Sequence, residues 1–95
     1  MAYRRSARAD EDYVAIYRFG VEEYGRAQAE AYADGLDAVF DFLASFPHAA
    51  RLRDEIMPPV RAHPVGVHLV VYEVLSDGEV LILRIPHARS DWIND

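Results

Sequence analysis

The chain has 95 residues, of which 52% are hydrophobic, and its ten Arg and sixteen acidic residues give a net charge of −6. This length predicts one domain over residues 1–95, and the acidic balance speaks against a protein that covers nucleic acid with a basic surface. Cysteine is absent, which excludes disulfides and thiolate metal sites. Since no segment resembles a signal peptide or is long and apolar enough to cross a bilayer, we expect a cytoplasmic protein.

Two amphipathic helices are predicted in the first half of the chain. Apolar residues recur at steps of three and four after Ser6, which is a candidate N-cap, and Gly25 is expected to end this helix. A second apolar stripe runs from Ala29 to Leu43, and Pro47 should end the second helix. Because only Gly25 separates the two helices, we expect an antiparallel helical hairpin.

The second half of the chain predicts a sheet. The segments VHLVVYEVL (67–75) and EVLILRI (79–85) are β-branched and apolar, and the turn residues Ser76-Asp77-Gly78 separate them. Prolines on both sides restrict the preceding VRAHP segment to an edge strand or a loop, and the short YRR segment near the start could supply another edge strand. The expected fold class is α+β, with the helical hairpin packed on an antiparallel β-sheet.

A two-residue turn at Asp77-Gly78 would place His68 opposite His87 and give the sheet two apolar faces, whereas a three-residue loop would shift this register. The face assigned to the helices contains Val70, Tyr72, Val74, Leu81, Leu83 and Ile85. The opposite face contains Val67, Leu69, Val71, Val80 and Ile82, with Glu73 diagonal to Arg84. We expect another chain to cover this second face, because exposed apolar surface in a small protein usually marks a partner.

The C-terminal segment RIPHARSDW concentrates residues that could carry chemistry. Ser90, His87 and Asp91 could form a hydrolytic triad, but sequence neighbours rarely reach that geometry and Ser90 lacks a flanking glycine. His63, His68 and His87, with Asp91, could bind a metal ion, although no recognised ligand spacing is present.

Acid–base chemistry on RNA is a third interpretation of the same segment. Arg61, Arg84 and Arg89 would hold phosphates, while His68 or His87 moves protons. The plainer alternative is that these arginines form surface ion pairs and the histidines bond to backbone carbonyls. Trp92 lies beyond the last strand, so packing on the domain and contact with a partner are equally expected.

The order of several segments resembles the ParE toxins of the RelE/ParE superfamily. The resemblance rests on Ala9-xx-Asp12, Ile16, YGRAQAEAY (24–32), Leu36, Phe40-xx-Leu43, Phe46-Pro47, Arg61, HLVVYEV (68–74) and RIPHARSDW (84–92). It implies a helical hairpin on a sheet of three to five strands and a ParD-like antitoxin bound along the toxin surface. It also implies inhibition of DNA gyrase by binding, without catalytic residues, a metal or a cofactor. The RelE branch cleaves mRNA with basic residues and a C-terminal tyrosine, but this chain has no Lys and no Tyr after Tyr72.

The expected function is therefore that of a toxin neutralised by a ParD-like antitoxin, with operator DNA bound only through the antitoxin. The alternatives are a ribosome-dependent endoribonuclease that uses Arg61, His68, Arg84 or Arg89, and a non-toxic co-repressor. Candidate residues for target binding and toxicity are Arg61, His68, His87, Arg89, Asp91 and Trp92. Candidate antitoxin contacts are Leu69, Val71, Glu73, Val80, Ile82 and Arg84.

Overall fold

A computed structural model describes residues 2–94, which fold into two helices and a five-stranded sheet. The helices are α1 (Ala7–Tyr24) and α2 (Arg26–Ser45), and the strands are β1 (Tyr3–Arg5), β2 (Leu52–Arg53), β3 (Val60–Val65), β4 (His68–Val74) and β5 (Val80–Arg84). The strand order is β1-β5-β4-β3-β2. The α+β fold class is confirmed, but the sheet is mixed, because β1 pairs with β5 in parallel while the other pairs are antiparallel.

The helical hairpin forms as the sequence predicts. Ser6 caps α1 by accepting a hydrogen bond at its Oγ from the Ala9 N–H at 3.0 Å. Gly25 ends the helix with φ at +90°, a left-handed conformation that glycine adopts without strain, and its N–H donates to the Val21 carbonyl. A side chain at Gly20 would bring a Cβ within 3.2 Å of the Ala29 Cβ, so a small residue here lets the helices approach closely. Among residues 2–94, neither helix is long and apolar enough to cross a membrane.

The loop between β4 and β5 overturns the two-residue turn. The Leu75 N–H donates to the Glu79 carbonyl at 2.8 Å, and Val74 pairs with Val80, so the loop contains three residues. Its last residue, Gly78, has φ at +88°, the geometry of three-residue hairpins. A β-bulge between Val71 and Tyr72 in the ladder then absorbs the extra residue. The predicted pairing of His68 with His87 is therefore confirmed, but it results from a three-residue loop followed by a bulge and not from a two-residue turn.

The face assignment of β5 is wrong as a consequence of this shift. Val80 and Ile82 point towards the helices and are fully buried, because a slip of one residue moves every side chain to the other face. They cannot contact an antitoxin in this fold. The residues of the main core, between helices and sheet, are Ala9, Leu36, Phe40, Leu43, Ala50, Val70, Tyr72, Val80, Ile82 and Ile85.

The second face of the sheet is covered largely by the chain itself. Trp92 and Ile56 pack there against Val60 and Val71, and the exposed fraction of each of these four side chains is 9% or less. Ala62, Leu69 and Leu83 surround this second cluster and are partly buried. The expectation that a different chain covers this face is therefore wrong for its centre, because sequence alternation cannot show where a C-terminal tail folds back.

Candidate functional site

The C-terminal segment is held at both ends and exposed between them. Arg84 donates through Nη1 to the Trp92 carbonyl at 2.8 Å, and Trp92 itself is buried against the second face of the sheet. The Arg53 guanidinium lies 5.9 Å from the Trp92 ring centroid. Between these anchors, Arg89 and Asp91 are exposed. The segment thus forms a short exposed loop whose ends are fixed by burial and hydrogen bonding.

The hydrolytic triad does not form in this loop. His87 Nδ1 accepts a hydrogen bond from the Arg89 N–H at 3.1 Å, and the Ser90 hydroxyl donates to the His87 carbonyl at 2.7 Å. The Asp91 carboxylate accepts from Asn94 Nδ2 at 3.0 Å. Ser90 and Asp91 therefore serve to shape the turn, and neither is aligned with the imidazole of His87.

His68 lies beside His87 and bonds to α2. The rings of the two histidines have centroids 5.7 Å apart, and His68 Nδ1 is 2.7 Å from the Tyr32 hydroxyl. Burial lowers the pKa of His68 below its ordinary value, and His87 lowers it further, whereas the Asp12 carboxylate opposes this shift. Burial therefore disfavours the protonated form of His68, whose contact with Tyr32 links strand β4 to helix α2.

No metal-binding group is found among residues 2–94, because no three His, Asp or Glu side chains converge there. His63 contacts Phe42 of α2, with ring centroids 5.6 Å apart. His63 also has a buried Nδ1 without a hydrogen-bond partner. The structure therefore gives no support to a metal site formed by His63, His68 and His87.

The arginines of the RNA interpretation lie on opposite faces of the sheet. Arg61 pairs with Tyr72, which faces the helices, and donates through Nη1 to the Ala50 carbonyl at 2.6 Å. Arg84 pairs with Val71, which faces the second cluster. One phosphate group cannot be bound by both guanidinium groups in this arrangement.

The structure divides the candidate residues into distinct places. His68 and His87 are neighbours, and Arg89 and Asp91 share the exposed loop. Trp92 is buried, and Arg61 lies on β3 opposite Tyr72. Of the proposed antitoxin contacts, Leu69, Glu73 and Arg84 are partly exposed on the second face and Val71 is buried there. Val80 and Ile82 are buried on the helix side.

Two apolar surfaces were not predicted from the sequence. At the end of α2, Phe42 and Phe46 are 43% and 61% exposed, and they border an open depression of about 500 Å³. At the tip of the hairpin, Phe19 and Tyr24 are 57% and 65% exposed beside a groove of about 240 Å³. Phe42 and Phe46 are four residues apart, a spacing that is typical of one face of a helix. Core residues of α2 have the same spacing, so the sequence does not distinguish these exposed rings from the buried stripe.

Comparison with known proteins identifies the family. A family model described as "ParE toxin of type II toxin-antitoxin system, parDE" matches residues 3–92. The chain belongs to the ParE toxin family.

Two relatives in the ParE family cover most of the chain. A protein named Toxin ParE1 from Mycobacterium tuberculosis (strain H37Rv) is 32% identical over 89 residues, which are 94% of this chain and 91% of the relative. A Toxin ParE1 from Caulobacter vibrioides is 31% identical over 85 residues, with 90% and 86% of the two chains covered. A solved structure titled "Chromosomal ParDE TA system from P. aeruginosa" has the same fold, with a TM-score of 0.78, 24% identity, and coverage of 94% and 97%.

Several residues that carry the resemblance to the ParE family connect the helices to the sheet. Asp12 accepts a hydrogen bond at Oδ2 from the Ile85 N–H at 2.8 Å, which satisfies a strand amide just beyond β5. The Tyr72 hydroxyl donates to the Pro47 carbonyl at 2.8 Å, which fixes the chain after α2. Both residues therefore have a structural role in joining the helices to the sheet.

Proposed function

We propose that this ParE-family chain is a cytoplasmic toxin that inhibits DNA gyrase by binding and is neutralised by a ParD-like antitoxin. The observation that carries the proposal is the family match over residues 3–92. The complex would reach operator DNA only through the antitoxin, which agrees with the net charge of −6.

The target-binding surface in this proposal is the exposed loop between Arg84 and Trp92. Arg89 and Asp91 present charges of opposite sign there, and His87 lies at the base of the loop. Trp92 acts as an anchor, because its ring is buried against Val71. Arg61 is not part of this surface, since it pairs with Tyr72 and donates to the Ala50 carbonyl, whereas His87 pairs with His68 at the start of β4.

The arrangement of polar side chains supports a mechanism without chemistry. General acid–base catalysis requires the acid, the base and the phosphate-binding groups to lie around one reacting atom. Here Arg61 and Arg84 are on opposite faces, and the Nδ1 of His87 is already bonded to the Arg89 N–H. We therefore favour binding over RNA cleavage as the mode of action.

A gyrase supercoiling assay with the purified toxin tests the proposal. We expect supercoiling to be lost at toxin excess, and we expect Arg89→Ala to weaken the inhibition by about tenfold, as for an interface residue that dominates binding. Arg18→Ala is the matched control, because Arg18 is an equally charged, exposed residue on α1. Gyrase that remains fully active at toxin excess would contradict the target.

Expression of the toxin without antitoxin separates the remaining outcomes. Arrest of DNA replication with intact mRNA is the expected result. Cleavage of mRNA in the ribosomal A site would instead indicate an endoribonuclease, and unaffected growth would indicate a co-repressor without toxicity.

A further inference from the structure

The backbone on both sides of His87 is fixed to the sheet. The Leu69 N–H donates to the Pro86 carbonyl at 2.9 Å, and the Ala88 N–H donates to the Val67 carbonyl at 2.8 Å. His87 itself forms an isolated bridge with the first residue of β4. The exposed loop therefore leaves the sheet directly after His87, at a point that backbone hydrogen bonds hold in place.

Three hydrogen bonds accepted by His87 shape the turn that follows. Its carbonyl accepts from the Ser90 N–H at 3.0 Å and from the Ser90 hydroxyl at 2.7 Å. Its ring nitrogen Nδ1 accepts from the Arg89 N–H at 3.1 Å. A side chain that accepts from the amide two residues further on closes a kind of turn for which Asn and Asp are the usual residues. His87 therefore does here what an Asn or Asp does at the first position of such a turn.

The bond at Nδ1 requires one protonation state of the His87 ring. A neutral imidazole has one N–H and one acceptor nitrogen, whereas a protonated imidazole has two donors and no acceptor. Since Nδ1 accepts, the proton of the neutral ring lies on Nε2. A second proton can enter only at Nδ1, where it would point at the Arg89 N–H and break the bond. The turn is therefore compatible with the neutral ring and incompatible with the charged one.

The groups that pack on His87 from the rest of the fold centre on His68. The two rings have centroids 5.7 Å apart, and the His68 Nδ1 lies 2.7 Å from the Tyr32 hydroxyl of α2. Burial lowers the pKa of His68, and His87 lowers it further, while Asp12 of α1 opposes the shift. His87 is the exposed member of this pair, so its ring is the one that solvent protons reach freely.

The loop itself places one charge of each sign near the His87 ring. Arg89 follows two residues later and would repel a charged imidazole. The Asp91 carboxylate accepts from Asn94 Nδ2 at 3.0 and 3.2 Å. Within residues 2–94, no carboxylate forms an ion pair with His87. A proton on this ring would therefore break the turn without forming an ion pair in exchange.

We propose that His87 is a positioning residue of the target-binding loop, and that it holds Arg89 in the binding conformation only while its ring is neutral. This inference rests on the proposed function, because Arg89 and Asp91 are the charged contacts assigned to the target. A loop that is already held in its bound shape does not lose conformational freedom on binding. Acidification therefore weakens target binding through the turn, while the buried Trp92 still anchors the far end of the loop.

Two substitutions separate the hydrogen bond from the rest of the ring. His87→Asn keeps a side-chain acceptor two residues before Arg89, and its amide does not titrate. His87→Ala has no acceptor. Both variants lack the imidazole and its contact with His68, so they differ from each other in the bond to the Arg89 N–H.

The experiment measures the Kd of purified gyrase for wild-type toxin and both variants by titration calorimetry at about pH 7.5 and about pH 5.5, which span the range in which histidine changes its charge. At the higher pH, we expect His87→Asn to bind like the wild type and His87→Ala to bind about fivefold more weakly, as for the loss of one hydrogen bond. At the lower pH, the Kd of the wild type should rise at least about threefold relative to that of His87→Asn.

The comparison with His87→Asn removes any effect of groups that titrate on gyrase, because these act equally on both toxins. Thermal midpoints at both pH values show whether each variant is folded. Equal affinities of His87→Asn and His87→Ala at the higher pH would overturn the role of the hydrogen bond. The same change of Kd with pH in wild type and His87→Asn would overturn the role of the proton.

Nuclear magnetic resonance on the free toxin tests the turn without the target. The bond from the Arg89 N–H to Nδ1 of His87 should give a through-bond coupling between the two nitrogen nuclei at about pH 7.5, and this coupling should disappear at about pH 5.5. Absence of the coupling at the higher pH overturns the positioning role of His87. If the coupling is present and wild-type toxin does not bind gyrase, the result contradicts the proposed function and leaves the turn as described.

Discussion

The Tyr32 hydroxyl connects α2 to the turn between β3 and β4 through three short contacts. It lies 3.1 Å from the Val65 carbonyl, 3.2 Å from the Val67 nitrogen and 2.7 Å from His68 Nδ1. Gly66 makes this arrangement possible, because a Cβ there would lie 2.5 Å from the Tyr32 oxygen and its φ is +56°. At the scale of single residues, Gly66 and His68 thus determine how α2 docks on this turn.

The lowered pKa of His68 predicts that stability falls as the pH falls. The folded chain binds a proton at His68 only below its ordinary pKa of 6.5, so between the two pKa values the unfolded chain binds more protons. The free energy of unfolding is therefore highest above pH 6.5 and decreases as the pH falls from 6.5 through the folded pKa. Urea unfolding at pH values between about 7.5 and 5.5 measures this slope.

Two variants separate His68 from other titrating groups. In His68→Gln, the decrease in stability over this pH range should become smaller, because the glutamine side chain does not titrate. His48→Gln, which removes an exposed imidazole instead, is the control variant. An unchanged slope in His68→Gln would show that the acid sensitivity arises elsewhere.

Individual elements were predicted well where a local pattern defines them. Helical spacing and the positions of Ser6, Gly25 and Pro47 predicted α1 and α2, because the termini of helices depend on neighbouring residues. The face of β5 was predicted wrongly, because it depends on whether the loop after Val74 has two or three residues. The bulge opposite Val71 and Tyr72 left no clear signal in the sequence, yet it restored the pairing of His68 with His87.

Ser6 joins helix α1 to strand β5, and this role makes a second prediction. Its Oγ accepts from the Ala9 N–H and also donates to the Leu83 carbonyl at 2.7 Å. Ser6→Ala should lower the free energy of unfolding by about 2 kcal/mol, since it removes a cap worth about 1 kcal/mol and a hydrogen bond of similar size. Ser6→Asp should lower it by only about half as much, because aspartate caps the helix but cannot donate to Leu83. Chemical denaturation distinguishes the two variants, and equal losses would contradict a double role.

The whole molecule has two apolar clusters that share one sheet. The main core lies between sheet and helices, and the second cluster lies under Trp92 on the opposite face. Since Val70 and Tyr72 face one cluster while Val71 faces the other, strand β4 cannot leave either cluster without disturbing both. We therefore expect the C-terminal tail and the helices to unfold together.

The single tryptophan provides the measurement of this cooperativity. Trp92 is 7% exposed, so its fluorescence reports the second cluster, whereas far-UV circular dichroism reports mainly the helices. The two unfolding curves in urea should coincide, as for a two-state domain. A fluorescence transition at lower urea concentration would show that the tail detaches first, which would make the exposed loop of the target surface independently mobile.

The sequence by itself determined the elements of this protein, its fold class and its resemblance to the ParE family, because hydrophobic period, capping residues and ordered motifs are local properties of the chain. Only the tertiary structure decided which residues are available for binding. Val80 and Ile82 became core residues through a loop of one extra residue, and Trp92 covered a face that alternation left open. The exposure of Phe42 and Phe46 likewise depends on packing between distant segments, which the local spacing of these residues does not show.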